Sequence, residues 1–243
     1  MAEPKMQTLI DGAREMGFPL NPAQLEQFAI YYRELLDWNS RINLTAVIDI
    51  EEVQKKHFLD SLTLVNLITK KAPRNARVID VGSGAGFPGI PLKIALPNLE
   101  MTLLESTNKK GLFLSDIINK LGLDNTFVVT ARAEEMGQNL KLREKFDVVV
   151  SRAVANLSAL AELTLPFCSV GGFLIAQKKG EITLELEQSL KAIEILGGGL
   201  PHIEKIDLSA INDERLLIVI DKIKPTPEKY PRRNGIPQKR PLG

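Results

Sequence analysis

The chain of 243 residues is 44% hydrophobic and 25% charged, a composition that excludes a disordered or fibrous protein and allows a sizeable core. Because it shows neither a stretch of about 18 apolar residues nor the apolar segment of a signal peptide, we expect a cytoplasmic protein without a membrane segment. The single cysteine, Cys168, excludes an internal disulfide, and we expect its thiol to be buried. The two histidines lie far apart in the sequence, so no metal site is expected.

The charge is unevenly distributed along the chain. Residues 222–243 contain seven basic residues and one acidic residue, a net charge of +6, which leaves −5 on residues 1–221. A basic tail on a mildly acidic body suggests a polyanionic partner that contacts one end of the molecule. A solvated, flexible tail without a binding role is the alternative that charge alone leaves open.

Residues 1–72 have the pattern of an N-terminal helical extension. The segment 21–38 begins with Asn21 as N-cap and Pro22 at the first helical position, and its apolar residues follow at three-to-four spacing. Residues 50–68 repeat this amphipathic pattern, so we expect a second long helix there.

Beyond residue 72, short β-branched runs alternate with helix-length segments. The predicted strands are RVIDV, EMTLLE, TFVVT, FDVVVS, GGFLIAQ, HIEKIDLS and ERLLIVIDKI. A helix after each of the first five predicts a parallel sheet covered on both faces, whereas the last two have no room for a helix between them and are expected to pair antiparallel at one edge. Seven mostly parallel strands with an antiparallel last strand are the α/β arrangement of Rossmann-like class I methyltransferases, here residues 73–222, followed by a basic tail at 223–243.

The stretch RVIDVGSGAGFPGIP has the form of a ligand-binding turn. A predicted strand enters three glycines at alternate positions, Gly82, Gly84 and Gly86, and a helix from Pro88 to Leu96 is expected to follow. Such a turn directs backbone N–H groups and the positive end of a helix dipole to one point. We therefore expect a ligand site at this turn.

Glycine spacing and one carboxylate indicate which ligand the turn fits. A dinucleotide turn reads G-x-G-x-x-G, whereas this one reads D-x-G-x-G-x-G from Asp80 to Gly86. The Asp80 carboxylate would repel a pyrophosphate but suits the ammonium and sulfonium groups of S-adenosylmethionine. We therefore expect S-adenosylmethionine as the cofactor, and a nicotinamide dehydrogenase is the alternative that the spacing disfavours.

Two further segments fit an adenosyl ligand. Glu105 ends the second predicted strand, where adenosine-binding α/β folds place the carboxylate that binds ribose hydroxyls. Ala133 and Glu134 follow the third strand and are expected to frame the adenine, with Glu134 accepting from its amine.

With these residues identified, the chain resembles the bacterial glucose-inhibited division protein B family, S-adenosylmethionine-dependent methyltransferases that act on N7 of a guanine in small-subunit ribosomal RNA. Seven matching stretches cover nearly the whole chain in the same order: WNSRINLTA, HFLDSL, DVGSGAGFPGIPL, LLESTNKKGLFL, SRAVA, KKG and YPRRNGIPQKRPL. One departure is the pair Lys109 and Lys110, where the family more often has lysine followed by arginine.

The resemblance also implies roles for individual residues. The implied cofactor contacts are Gly82, Phe87, Ala133, Glu134 and Arg152. Arg152, next to the end of the fourth predicted strand, is expected to have a positioning role in catalysis, donating to guanine O6 or to a neighbouring phosphate. A surface salt bridge is the alternative role for this arginine.

A second set of residues is expected to contact RNA. Asn39, Arg41, His57 and Asp60 are family positions expected to line the same cleft, although the last two, read alone, fit a local hydrogen bond better. Basic residues assigned to phosphate binding are Lys178, Lys179, Arg232, Arg233, Lys239 and Arg240. Prolines and Gly235 are expected to keep this tail extended and not helical.

The chemistry of guanine N7 agrees with what the sequence lacks. N7 carries a lone pair and no proton, so its in-line methylation needs alignment but no general base. The fourth strand is not followed by the Asn/Asp-Pro-Pro-aromatic loop of amine methyltransferases, and no cysteine lies nearby for a covalent route. We expect small-subunit RNA or the subunit as partner and action as a monomer, with a small-molecule methyltransferase or an RNA-binding factor without chemistry as alternatives.

Overall fold

A seven-stranded sheet forms the centre of the computed structural model, which describes residues 5–152, 155–211 and 215–243. The strands are β1 (Arg77–Val81), β2 (Glu100–Glu105), β3 (Thr126–Thr130), β4 (Phe146–Arg152), β5 (Cys168–Lys179), β6 (His202–Ile206) and β7 (Arg215–Asp221). Their order is β3-β2-β1-β4-β5-β7-β6, with β1 to β5 parallel and β7 antiparallel to both of its neighbours. The α/β fold class and the antiparallel pairing of the last two strands are confirmed. β7 lies between β5 and β6, so β6 is the edge strand at that end of the sheet.

Helices precede the sheet, connect most of its strands and, in one case, follow the last strand. They are α1 (Gln7–Glu15), α2 (Pro22–Asn39), α3 (Ile50–Val53), α4 (Asp60–Leu62), α5 (Val65–Lys71), α6 (Gly89–Ala95), α7 (Asn108–Leu121), α8 (Ala133–Met136), α9 (Leu157–Thr164), α10 (Thr183–Ile195) and α11 (Ile236–Lys239). In the described ranges, none of them has the length and apolar character needed to cross a membrane.

The start of α2 follows from its local sequence. The Asn21 side chain accepts a hydrogen bond from the backbone N–H of Gln24 at 2.9 Å, and the Gln24 side chain accepts one from the N–H of Asn21 at 2.9 Å. Two N–H groups that the helix itself cannot pair are thus satisfied, and Pro22 lies where no N–H is needed. The predicted N-cap at Asn21 and the proline at the first helical position are confirmed, and the pair of bonds forms a capping box.

The prediction of a single long helix over residues 50–68 is wrong. A π-helical turn, Gln54–Leu59, separates α3 from α4, and a break at Thr63 and Leu64 precedes α5. Side-chain hydroxyls donate to backbone carbonyls here, Ser61 to His57 at 2.6 Å and Thr63 to Asp60 at 2.6 Å. Such bonds give the backbone an alternative to regular helical pairing, which apolar periodicity does not register.

Hydrophobic clusters cover both faces of the sheet. Val78 of β1 belongs to the cluster that contains Phe28 of α2 and Phe113 of α7. Its neighbour Ile79 points to the opposite face and packs with Leu157 of α9, as the alternation of side chains along a strand requires. The N-terminal helices therefore share a core with the sheet, and the boundaries at 72 and 222 stay predictions.

Residues 223–243 pack along the body of the protein and are called the C-terminal strap below. The Arg143 guanidinium donates to the carbonyls of Thr226 and Tyr230, each at 2.7 Å. The expectation of a tail without helix is wrong at α11, which begins after Gly235 at a φ of 76°. A proline in the first helical turn needs no N–H partner, so it is compatible with this short helix.

Candidate functional site

The glycine turn has the backbone conformation that its sequence requires. Gly82, Gly84 and Gly86 have φ angles of 79°, 58° and 91°, a region in which other residues are strained. A Cβ on Gly86 would also lie 2.4 Å from Cδ1 of Ile90 and 2.8 Å from the Tyr31 hydroxyl oxygen. The helix that follows, α6, is one residue shorter at each end than expected.

Asp80 supports this turn from within the protein. Its side chain is fully buried, and Oδ2 accepts a hydrogen bond from the N–H of Gly89 at 3.0 Å. Within the described residues Oδ1 has no hydrogen-bond partner, and burial raises the pKa of this carboxyl to about 7. The structure therefore gives Asp80 a place beneath the turn instead of the cofactor-facing position that we expected.

Glu105 connects the end of β2 to the glycine turn. One carboxylate oxygen accepts from the N–H of Gly84 at 2.9 Å, and the other accepts from the N–H of Thr107 at 2.7 Å. This is the position in which a carboxylate meets ribose hydroxyls in related adenosine-binding folds. Glu105 is thus placed at the expected edge of the sheet, beside the turn.

A cavity of about 110 Å³ opens where β1, β2 and β3 end. It brings together the predicted residues Gly82, Ala133 and Glu134, and Leu163 of α9 forms another wall. Gln238 of the C-terminal strap also lines it. The motif YPRRNGIPQKRPL marked this segment, but its charge directed our interpretation to phosphate and not to this cavity.

A larger cleft, of about 510 Å³, lies beside the end of β4. Its lining residues are Val47, Lys56, His57, Asp60, Arg152, Gln177, Lys178, Lys179, Glu185 and Arg215. Phe87 of the glycine turn contacts two of these lining residues: its ring stacks on His57 with centroids 4.6 Å apart, and its centroid lies 5.0 Å from the guanidinium carbon of Arg152. The predicted cofactor and RNA residues thus meet at one aromatic ring.

Asp60 holds two arginines at this cleft. Its Oδ2 lies 3.1 Å from Nη1 of Arg152, and its Oδ1 lies 2.6 Å from Nε of Arg215. All three side chains are largely buried, so the carboxylate directly compensates positive charge where water is scarce. Our sequence interpretation missed Arg215, because no motif marks it and β7 is distant in the chain.

His57 is neutral in this environment. Burial, followed by the positive charge of Arg152, lowers its pKa to about 4. One ring nitrogen pairs with the Thr45 hydroxyl at 2.8 Å and the other with the Lys56 carbonyl at 3.0 Å. The imidazole is therefore held as an aromatic wall, and both ring nitrogens are engaged by these groups and not by the Asp60 side chain.

Two predicted RNA contacts lie outside both cavities. The Asn39 side chain accepts from the N–H groups of Leu44 and Thr45, which shapes the link after α2. Arg41 is exposed, pairs with Asp37 and lies over a tryptophan ring. The structure gives both side chains local partners, and a contact with RNA stays a prediction for them.

The basic residues of the strap differ in their surroundings. Arg233, Lys239 and Arg240 are exposed, as a phosphate-binding role requires. Arg232 instead binds Glu162, a fully buried carboxylate, with Nη2 2.7 Å from Oε2. Its assignment to phosphate binding is therefore replaced by a structural ion pair.

Known sequences align with this chain over nearly its whole length. The family model described as GidB, rRNA small subunit methyltransferase G, matches residues 24–212. Proteins named Ribosomal RNA small subunit methyltransferase G from Dehalococcoides mccartyi (strain CBDB1) and Lachnoclostridium phytofermentans are 49% and 50% identical to it. These alignments cover 98% and 97% of this chain and 100% and 96% of the relatives.

Solved structures share the fold at low sequence identity. M. jannaschii TYW2, solved in complex with AdoMet, has a TM-score of 0.50 and 18% identity, covering 68% of this chain and 77% of that one. The Agrobacterium tumefaciens protein Atu636, titled a predicted O-methyltransferase, has a TM-score of 0.53 and 18% identity, covering 69% of this chain and 86% of that one. Both likenesses concern the architecture alone.

Proposed function

Because the chain belongs to the GidB family of small-subunit rRNA methyltransferases, we propose that it transfers the methyl group of S-adenosylmethionine to N7 of a guanine in 16S rRNA. The observation that carries this proposal is that the glycine turn touches two cavities: Gly82 lines the smaller one, and Phe87 contacts His57 and Arg152, which line the larger, basic cleft. A methyl donor and a polyanionic acceptor would require two neighbouring binding sites of this kind.

The residues around the smaller cavity fit the cofactor. Gly82 and Gly84 present backbone at positive φ, where no Cβ blocks the approach of a ligand. Glu105 offers a carboxylate for the ribose, and Ala133 and Glu134 form a wall suited to the adenine. When bound, S-adenosylmethionine supplies an electrophilic methyl group on a positively charged sulfur.

The larger cleft offers positioning groups in place of a general base. His57 is neutral and already hydrogen-bonded through both ring nitrogens, and Asp60 is engaged by two arginines. Guanine N7 carries no proton, so nothing has to be removed before it attacks. Arg152, oriented by Asp60 and by the Phe87 ring, would donate to guanine O6 or to an adjacent phosphate, which aligns the acceptor.

The remaining basic side chains suit the RNA backbone. Lys179 lines the cleft, and the strap adds the exposed Arg233, Lys239 and Arg240. Each phosphate contact releases counterions, so binding should weaken steeply as salt increases. A substrate loop with an accessible N7 is favoured, because N7 lies in a deep, narrow groove of an A-form helix. With rRNA as substrate, we place the activity in the cytoplasm.

Transfer of labelled methyl to small-subunit RNA from cells that lack this gene tests the proposal. Naked RNA and subunit particles are incubated with the protein, and the labelled nucleoside is then identified. We expect 7-methylguanosine, with strong loss of transfer in Arg152→Ala. Arg33→Ala is the matched control, because Arg33 is a partly exposed arginine paired with Glu26 and absent from the cleft lining.

The experiment separates the parts of the proposal. Label in another nucleoside would contradict N7 as the acceptor. Full transfer by Arg152→Ala would refute the positioning role, whatever the product. Transfer to neither RNA form, with the cofactor bound, would favour a small-molecule acceptor instead.

A further inference from the structure

The C-terminal strap is fastened beside the smaller cavity by three polar contacts. Arg232 donates to Glu162, with Nε 2.9 Å from Oε1. The Asn234 amide donates to Glu135 at 2.6 Å, and the N–H of Gly235 donates to Glu134 at 2.7 Å. These contacts fix the residues that immediately precede α11.

Fastening of the strap places Gln238 at the cavity mouth. The residue belongs to α11 and lines the cavity together with Gly82, Ala133 and Glu134. Its side chain is exposed and makes no hydrogen bond with any residue that the structure describes. An amide in this position is available to a ligand without the loss of an existing contact.

We propose that Gln238 is a specificity-determining residue for the cofactor and that its side-chain amide hydrogen-bonds the edge of the adenine ring. This inference rests on the proposed use of S-adenosylmethionine and goes beyond it, because it assigns a role in adenine recognition to the strap. An adenine edge presents the 6-amino donor next to a ring-nitrogen acceptor. A glutamine amide carries the complementary acceptor and donor and can pair with both.

Glu134 cannot supply this pairing by itself. An ionised carboxylate only accepts hydrogen bonds, so it cannot donate to a ring nitrogen. One of its oxygens also receives the N–H of Gly235. Glu134 and Gln238 therefore have different tasks: the carboxylate anchors the strap and accepts, whereas the amide adds the donor.

Calorimetric titration with S-adenosylhomocysteine tests the inference without any methyl transfer. We expect Gln238→Ala to bind about fivefold to twentyfold more weakly than the wild type, the effect of one or two partly exposed hydrogen bonds. Gln238→Glu, which keeps an acceptor but loses the donor, should also bind more weakly. Lys224→Ala is the control, because Lys224 is an exposed strap residue outside the cavity lining.

A second ligand separates recognition of adenine from support of the cavity. This analogue of S-adenosylhomocysteine carries hydrogen in place of the 6-amino group. Loss of that group should weaken binding to the wild type more than binding to Gln238→Ala, because the variant has already lost the acceptor. The inference would be overturned if loss of the 6-amino group weakened binding equally in both proteins. It would also be overturned if the wild type and Gln238→Ala bound S-adenosylhomocysteine with affinities within twofold of each other.

The outcome also distinguishes this inference from the proposed function. If the wild type binds S-adenosylhomocysteine and Gln238→Ala binds it equally well, only the role of Gln238 fails. If the wild type binds neither ligand, the cofactor assignment fails and the adenine contact fails with it.

Discussion

Arg232→Ala should destabilise the protein far more than an ordinary surface substitution. Arg232 is 26% exposed and its partner Glu162 is 0% exposed, and the two meet through Nη2 and Oε2 at 2.7 Å. Oε1 of Glu162 also accepts from the backbone N–H of Arg232 at 2.8 Å. The substitution removes the charged partner but leaves the carboxylate inside the protein.

The two partners of this ion pair are not equivalent. Without Arg232, the Glu162 carboxylate is a buried charge with no compensation, which costs about 3–5 kcal/mol in the free energy of unfolding. Glu162→Gln removes the buried charge, keeps an oxygen acceptor and leaves an arginine that can turn toward water. We expect that substitution to cost about 1–2 kcal/mol. Combining both substitutions should recover part of the loss caused by Arg232→Ala.

Urea unfolding followed by circular dichroism at pH 7 and 25 °C measures these differences. Arg233→Ala, an exposed neighbour on the same segment, is the control and should change the free energy of unfolding by less than about 0.5 kcal/mol. The reasoning is refuted if Arg232→Ala stays within about 1 kcal/mol of the wild type. It is equally refuted if the double variant is no more stable than Arg232→Ala.

Three further outcomes follow from the geometry. Gly86→Ala should lower stability by more than Gly122→Ala in thermal unfolding, because both have positive φ but only Gly86 has atoms within 3 Å of a new Cβ; equal losses would contradict the crowding argument. Since the pKa of His57 is lowered to about 4, the unfolded chain binds the proton first. The contribution of His57 to the free energy of unfolding is therefore complete above pH 6.5, and about 3 kcal/mol of it is lost as the pH falls to 4. In His57→Phe, the free energy of unfolding should depend less steeply on pH in this range. An unchanged dependence would contradict the lowered pKa of His57. Cys168 is buried and its pKa is raised to about 12, so Ellman's reagent should label it only after unfolding, and rapid labelling of the native protein would contradict this.

The regular elements could be predicted because their causes are local. The capping box of α2 needs only Asn21 and Gln24, three residues apart. The strands follow from β-branched runs, and the glycine turn follows from three positions that require positive φ. The π-helical turn and the break after α4 could not be predicted, because they involve side-chain hydrogen bonds that a hydrophobic period does not contain.

The candidate site was predictable in part for a topological reason. The glycine turn follows β1, Glu105 ends β2, and Glu134 comes shortly after β3. These strands are parallel, and the carboxyl ends of parallel strands meet at one edge of the sheet. His57 and Asp60 entered through family resemblance, since their spacing alone favoured a local hydrogen bond. The structure brings both to the cleft with Arg152 but gives His57 a different partner, Thr45.

By itself, the sequence determined the sheet, the glycine turn and the family, because each is encoded in short stretches whose chemistry is complete without distant partners. Only the tertiary structure decided that Arg215 would share Asp60 with Arg152 and that Arg232 would pair with Glu162 instead of remaining available for phosphate. The sequence of a tail does not show whether a charged residue faces water or a buried carboxylate. Which of the two it meets depends on groups far away in the chain, and folding alone brings them within a few ångströms.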